Sequence, residues 1–259
     1  MKGLLYLVLL LGACATASRE DVVGERPDGG PPGGGGSGKD ASVIPPVDAA
    51  PLPDAPPGQQ QVTLEQTNNN TMAAGAAIAC SSSIAGIPVG TRDNSWYRVF
   101  KLSDYGITGA FTLQRITFYT DYAYAGSGTS QPASLKIGTY SGTPDTDTLT
   151  TGSIANLMTV PIMIPDADSS GGTPPPVITD VTVNIPANSN LIVELALPDG
   201  YADGNFYYIG VSSGGEAHKG YIRATPSGCN MTMPKSLTSA TGLNQPTNSI
   251  LLSVTGTKM

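Results

Sequence analysis

The chain has 259 residues, only 13% of them charged, with 20 acidic against 13 basic side chains, while Gly (32) and Pro (22) are frequent. A low-charge, turn-rich composition of this kind belongs to an exported β protein rather than to a cytosolic helical enzyme. The net charge of −7 comes without any basic stripe, which excludes nucleic acid as a natural partner and a polybasic grip on anionic lipid.

At the N-terminus, Met1-Lys2 supplies a short positive start and Leu4 to Leu11 an apolar run. That run is too short to span a bilayer and suits the core of a signal peptide. It is followed by Leu11-Gly12-Ala13-Cys14. This stretch resembles the bacterial lipobox. The resemblance implies a signal peptide over 1–13, a diacylglycerol thioether on Cys14 and acylation of the new N-terminus. The first expected partner is therefore a membrane, held by acyl chains at about 0.8 kcal/mol per buried CH₂. The other reading of these residues is ordinary secretion, with Ala15-Thr16-Ala17 as the cleavage site. The Cys placed directly at the end of the apolar run favours the lipoprotein. Ala15 is not the Asp that signals inner-membrane retention, so the expected address is the outer membrane.

Residues 14–61 read as a tether. Pro31-Pro32-Gly33-Gly34-Gly35-Gly36-Ser37-Gly38 is a flexible patch, and Pro46-Val47-Asp48-Ala49 with Pro53-Asp54-Ala55-Pro56-Pro57 a stiffer one. Such a segment cannot bury enough apolar surface to offset chain entropy and is expected to be disordered. As a random coil it would span roughly 35–40 Å. It resembles the linkers that follow the lipobox in many soil-bacterial surface lipoproteins, myxobacterial ones in particular.

From residue 62 to 259 the texture changes to period-2 alternation. Strands are expected at Trp96–Leu102, Phe111–Thr120, Ala133–Tyr140, Asn205–Val211 and Ser249–Thr255. Weaker ones lie around Val62–Glu65, Thr71–Ile78 and Met158–Ile164. Val181, Val183 and Ile185 alternate with polar residues up to the turn cluster Pro186–Asn190, after which Leu191, Val193, Leu195 and Leu197 alternate again. This pair reads as a hairpin with one buried face. No stretch shows a capped helical period. The expected fold is all-β: one antiparallel, jelly-roll-like β-sandwich of about nine or ten strands, its first and last strands neighbours beside a cysteine clasp.

That clasp follows from three cysteines. With Cys14 lipidated, Cys80 and Cys229 remain, and in an oxidising compartment they would pair. The bridge would close a loop of about 150 residues, worth roughly 4–5 kcal/mol. The alternative is two separately buried thiols.

A second resemblance rests on Asn94-Ser95-Trp96-Tyr97-Arg98-Val99-Phe100, Ile185-Pro186-Ala187 before Leu191-Ile192-Val193-Glu194, Phe206-Tyr207-Tyr208-Ile209-Gly210, and Tyr221-Ile222-Arg223-Ala224 before Cys229. The pattern is similar to an unnamed β-sandwich module of secreted multidomain bacterial proteins. The resemblance implies an accessory or adhesive role and brings no catalytic motif.

Residues able to do chemistry are few. His218 sits in Gly214-Gly215-Glu216-Ala217-His218-Lys219-Gly220 and could act as a base, but no G-x-S-x-G elbow accompanies it. Among the glutamates, Glu65, Glu194 and Glu216, a glycosidase would need two acids facing across a cleft. Asp145 and Asp147, Asp166 and Asp168, and Asp199 and Asp203 could hold calcium but match no EF-hand spacing, and Asp is a common turn residue. Trp96 begins a strand and belongs in the core. No catalytic residue, metal or cofactor is therefore expected. The candidate ligand residues are Tyr122 and Tyr124 with Asp121, and Tyr201 beside Asp199 and Asp203. A tyrosine stacks on a sugar ring while a nearby carboxylate takes its hydroxyls. The expectation is a lipid-anchored, non-enzymatic module that binds polysaccharide or other cell-surface material. A structural lipoprotein that holds envelope proteins is the second reading and a hydrolase the third.

Overall fold

The computed structural model describes residues 52, 59–84, 87–224, 229, 231–239 and 247–258; the expected signal peptide, Cys14 and nearly all of the expected tether lie outside them. The described residues form antiparallel β-structure with three short 3₁₀ turns and no α-helix. Seventeen strands replace the nine or ten expected. Several runs are broken in two by one irregular residue, and short paired segments such as β2 (Ala77–Ile78) and β10 (Ala167–Asp168) carry too little alternation to be legible.

Two walls pack face to face. The first is six-stranded, in the order β15 (Met231–Ser236), β14 (Gly220–Ala224), β5 (Asn94–Lys101), β12 (Asn190–Leu197), β8 (Ser130–Tyr140) and β9 (Ile154–Pro165). The second has two parts. One is β1 (Gln60–Leu64), β17 (Leu252–Lys258), β6 (Phe111–Phe118) and β11 (Val177–Ile185). The other is β10, β7 (Thr120–Tyr124), β13 (Phe206–Ser212) and β16 (Ser249–Ile250), with β2 also on β13. A separate hairpin joins β3 (Ser81–Ile84) to β4 (Ile87–Thr91). From β5 onward the chain passes back and forth between the walls, with β8–β9 and β14–β15 staying together in the first, because each strand has one apolar face to bury.

The two parts of the second wall are continuous along the chain, β6 running on into β7 and β16 into β17 across a single residue each. Around Tyr119 three backbones close a ring: Tyr119 N–H donates to Leu251 (3.1 Å), Leu251 N–H to Gly210 (3.0 Å) and Gly210 N–H to Tyr119 (2.8 Å). On one side of this junction β6 pairs with β17; on the other, β13 enters between β7 and β16. A Cβ on Gly210 would meet Met72 Sδ and Tyr119 Cβ at 2.9 Å, so this crossing requires glycine.

The expected neighbours β1 and β17 do pair, Leu64 opposite Val254. The expected hairpin over 181–197 is not one: β11 pairs with β6 in the second wall and β12 with β5 and β8 in the first. The turn between them, with Asn188 left-handed (φ 59°) and Ser189 N–H on Pro186 C=O (3.3 Å), carries the chain across the core. Alternation alone cannot separate these cases, since both strands bury one face either way.

Between the walls lie Trp96, Phe100, Phe111, Phe118, Leu195 and Tyr207, all fully buried. Trp96 donates its indole N–H to Ile78 C=O (3.0 Å) and meets Tyr207 edge-on, ring centroids 5.2 Å apart. Arg98 shares this inward phase and is fully buried. Its guanidinium meets Glu216 (3.1 Å), His218 C=O (2.8 Å) and, in the second wall, Ser249 Oγ and Ile250 C=O (both 2.6 Å). Cys80 and Cys229 stand at bridging distance, Cα–Cα 5.9 Å. Asn94 holds the former by both backbone groups, accepting from its N–H and donating to its C=O at 2.8 Å.

On the outer side of the six-stranded wall a smaller apolar cluster of Tyr97, Val99, Tyr140, Ile192 and Tyr221 is capped by Leu149, which belongs to the long connection between β8 and β9. That connection is strapped down where Leu149 N–H meets Pro234 C=O (3.0 Å) and Ser236 N–H meets Asp147 C=O (2.9 Å). It covers one part of this outer face and leaves the rest open.

Candidate functional site

The uncovered part of that outer face is a shallow trough of about 650 Å³. Its position follows from strand register. Ala196 of β12 lies between Ser95 of β5 and Ser134 of β8, so three adjacent strands carry short side chains at one level. Longer side chains rise around them: Lys136 from β8, Arg223 from β14 and Asp93 just before β5. Pro132, Leu197, Pro198 and Asp199 complete the rim.

These groups are fixed by one another. Arg223 donates through Nε to Tyr97 OH and through Nη2 to Ser95 Oγ, both at 3.1 Å, with Asp93 at 3.7 Å. Burial pushes the Tyr97 phenol up to about 12, and the Glu194 carboxylate adds to the rise. Burial works against the charge on Arg223, but Tyr97, Asp93 and Glu194 together outweigh it and hold its pKa above the ordinary arginine value. Lys136 Nζ meets Glu194 at 3.1 Å. Glu194 lies on the outward phase of its strand, as its alternation with Leu191, Val193 and Leu195 implied.

The tyrosines singled out in the sequence lie elsewhere. Tyr122 and Tyr124 share one face of β7, opposite in phase to Ala123, and pair across to β13: Tyr122 with Tyr208 (centroids 6.2 Å apart) and Tyr124 with Phe206 (6.4 Å). Together they form an aromatic ledge on the second wall, on which Tyr124 is 39% exposed and Tyr122 half-buried. Asp121 does not join them. It falls on the β-bulge between the Thr120 and Tyr122 pairings, is buried, and accepts from Gly75 N–H (2.9 Å) and Ser169 Oγ (2.6 Å). Tyr201 is apart from the ledge and beside the trough. Its ring lies under the Arg92 guanidinium (4.0 Å), which pairs with Asp199 at 3.1 Å.

The remaining candidates serve local structure. His218 is partly buried, Nδ1 2.9 Å from Asp145 and Nε2 3.8 Å from Asp104. With Lys219, whose N–H meets Asp145 (2.9 Å) and whose Nζ meets Asp147 (2.6 Å), it clasps the β8–β9 connection. Asp168 and Asp199 each accept from the backbone N–H two residues on, at Ser170 (2.8 Å) and Tyr201 (2.9 Å), the turn role that short acidic side chains favour. Asp166 accepts from Ala125 N–H (2.8 Å). Among the described residues no group of three or more His, Cys, Asp or Glu is placed to hold a metal ion.

Sequence reasoning passed over Arg223, Lys136, Asp93, Ser134 and Ala196. The outward phase of each strand marks these positions, but only the strand order β14-β5-β12-β8 makes them one site. Comparison of the chain with protein-family models, with characterised proteins and with solved structures finds no match to any of the three.

Proposed function

We propose that this protein is a lipid-anchored component of the bacterial cell envelope, attached through Cys14, whose β-sandwich is a non-enzymatic module for binding polysaccharide. The observation that carries the reading is the trough: a concavity of about 650 Å³, floored by short side chains, with donors and acceptors standing around an apolar middle. That volume lies within the range of small-ligand sites. Sugars suit such a lining, since their C–H faces rest on Pro132, Ala196 and Pro198 while their hydroxyls reach the charged rim.

The test is binding of the full chain to a panel of soluble polysaccharides and peptidoglycan by affinity electrophoresis. Ala196→Trp and, independently, Ser134→Trp fill the trough from its floor, and either is expected to weaken binding at least about tenfold. Loss on Tyr124→Ala, with both floor variants still binding, would move the site to the aromatic ledge. Absence of binding to any polymer of the panel would refute the reading.

A further inference from the structure

We infer that the trough selects uncharged glycans over acidic ones, a conclusion that rests on the polysaccharide-binding reading and adds to it the class of chain. The cations at or beside the trough are Arg223, Lys136 and Arg92, and each faces a carboxylate: Asp93 at 3.7 Å, Glu194 at 3.1 Å and Asp199 at 3.1 Å. Three positive and three negative groups therefore stand around it in pairs, and the rim as a whole carries no net charge. Electrostatic capture of an ionic polymer needs a surface dominated by one sign, and this rim has none.

The pairs also decide what can be held at close range. A uronate or sulfate that took Lys136 or Arg92 would displace Glu194 or Asp199 from a contact of 3.1 Å and leave two like charges adjacent. A sugar hydroxyl is both donor and acceptor. Neighbouring hydroxyls can give to the carboxylate of a pair and take from its cation, bridging the two without separating them. Arg223 is set for this, because Tyr97 OH and Ser95 Oγ fix two of its nitrogens at 3.1 Å. The apolar stretch between the pairs, Ala196 to Pro198 opposite Pro132, accommodates a ring face and has no use for charge.

The experiment titrates the full chain with dextran and galactomannan as uncharged probes and with polygalacturonate and alginate as acidic ones, at about 0.05 and about 0.5 M salt. The expected result is binding to at least one uncharged polymer, changing less than about twofold with salt, and binding to the acidic polymers at least about tenfold weaker. The variant Asp93→Asn/Asp199→Asn removes two partly exposed carboxylates and leaves a surplus of positive charge. It is expected to gain affinity for polygalacturonate at the lower salt while Ala196→Trp in the same background removes that gain. Preference of the parent chain for the acidic polymers, or no gain in the double variant, overturns the inference and leaves the polysaccharide reading standing. Failure to bind any of the four, with the wider panel also blank, overturns both.

Discussion

Arg98 is the residue at which the sequence pattern and the interior disagree. It stands on the same phase as Trp96 and Phe100, where an apolar side chain would be expected, and is held by Glu216 and three further acceptors. Burial lowers the Arg98 pKa and raises that of Glu216, with the opposite charge and the Gly220 N–H working against the rise in the carboxyl. Removing one partner of a buried pair strands the other, so Arg98→Met is expected to cost about 3–5 kcal/mol at neutral pH. The pH dependence has a definite sign. A carboxyl whose folded pKa lies above its unfolded value contributes stability that is fully present below the unfolded value, 4.5, and lost as pH rises through the folded one. Without Arg98 that folded value climbs further. Urea unfolding should show the Arg98→Met deficit to be smaller near about pH 4 than near about pH 7, and Arg98→Met/Glu216→Leu should recover most of it. An equal deficit at both pH values would contradict this account. At the same scale, Tyr122 and Tyr124 were legible as neighbours because residues two apart on a strand share a face. Asp121 stands apart from them because a bulge, invisible to alternation, turns its carboxylate to Gly75 and Ser169.

Among the elements, β9 is the exposed flank of the first wall. It runs for twelve residues without a charge, and Leu157 and Met163 are 45% and 56% exposed. Such an edge invites pairing with another chain. Two features blunt it: Pro161 and Pro165, residues without an N–H to offer, sit where a sheet tolerates them. Pro161→Thr/Pro165→Thr restores both donors and is expected to make the chain self-associate at concentrations where the parent does not, read by sedimentation velocity. Identical sedimentation of the two would show that something else protects this edge. Most long strands could be read from alternation, within a few residues of β5, β8 and β13. Their partners could not. The four-residue link between β11 and β12 serves an arch across the core as well as it would a hairpin, and the choice is made by what each strand packs against. The trough was hidden for the same reason, since its walls come from strands far apart in the chain.

At the scale of the molecule, the sandwich is closed by one long-range link. Cys80 and Cys229 are 149 residues apart in sequence, and a loop of that size is worth about 5 kcal/mol in the chain-entropy model. Cys80→Ala/Cys229→Ala is accordingly expected to lower the urea midpoint markedly and to steepen the slope, because the unfolded chain without the link is less compact and exposes more surface. A midpoint within error of the parent's would mean that the link adds nothing to the walls' own packing. The pairing was foreseeable from the count of cysteines, whereas its seat against Asn94, at the start of β5, was not. Every residue around the trough, from Arg92 and Asp93 to Arg223, falls inside the ring that this link closes. A protease that nicks any single loop between the two cysteines therefore severs the chain without freeing either fragment. The walls of the site stay covalently joined, and only a second cut or a reductant can separate them.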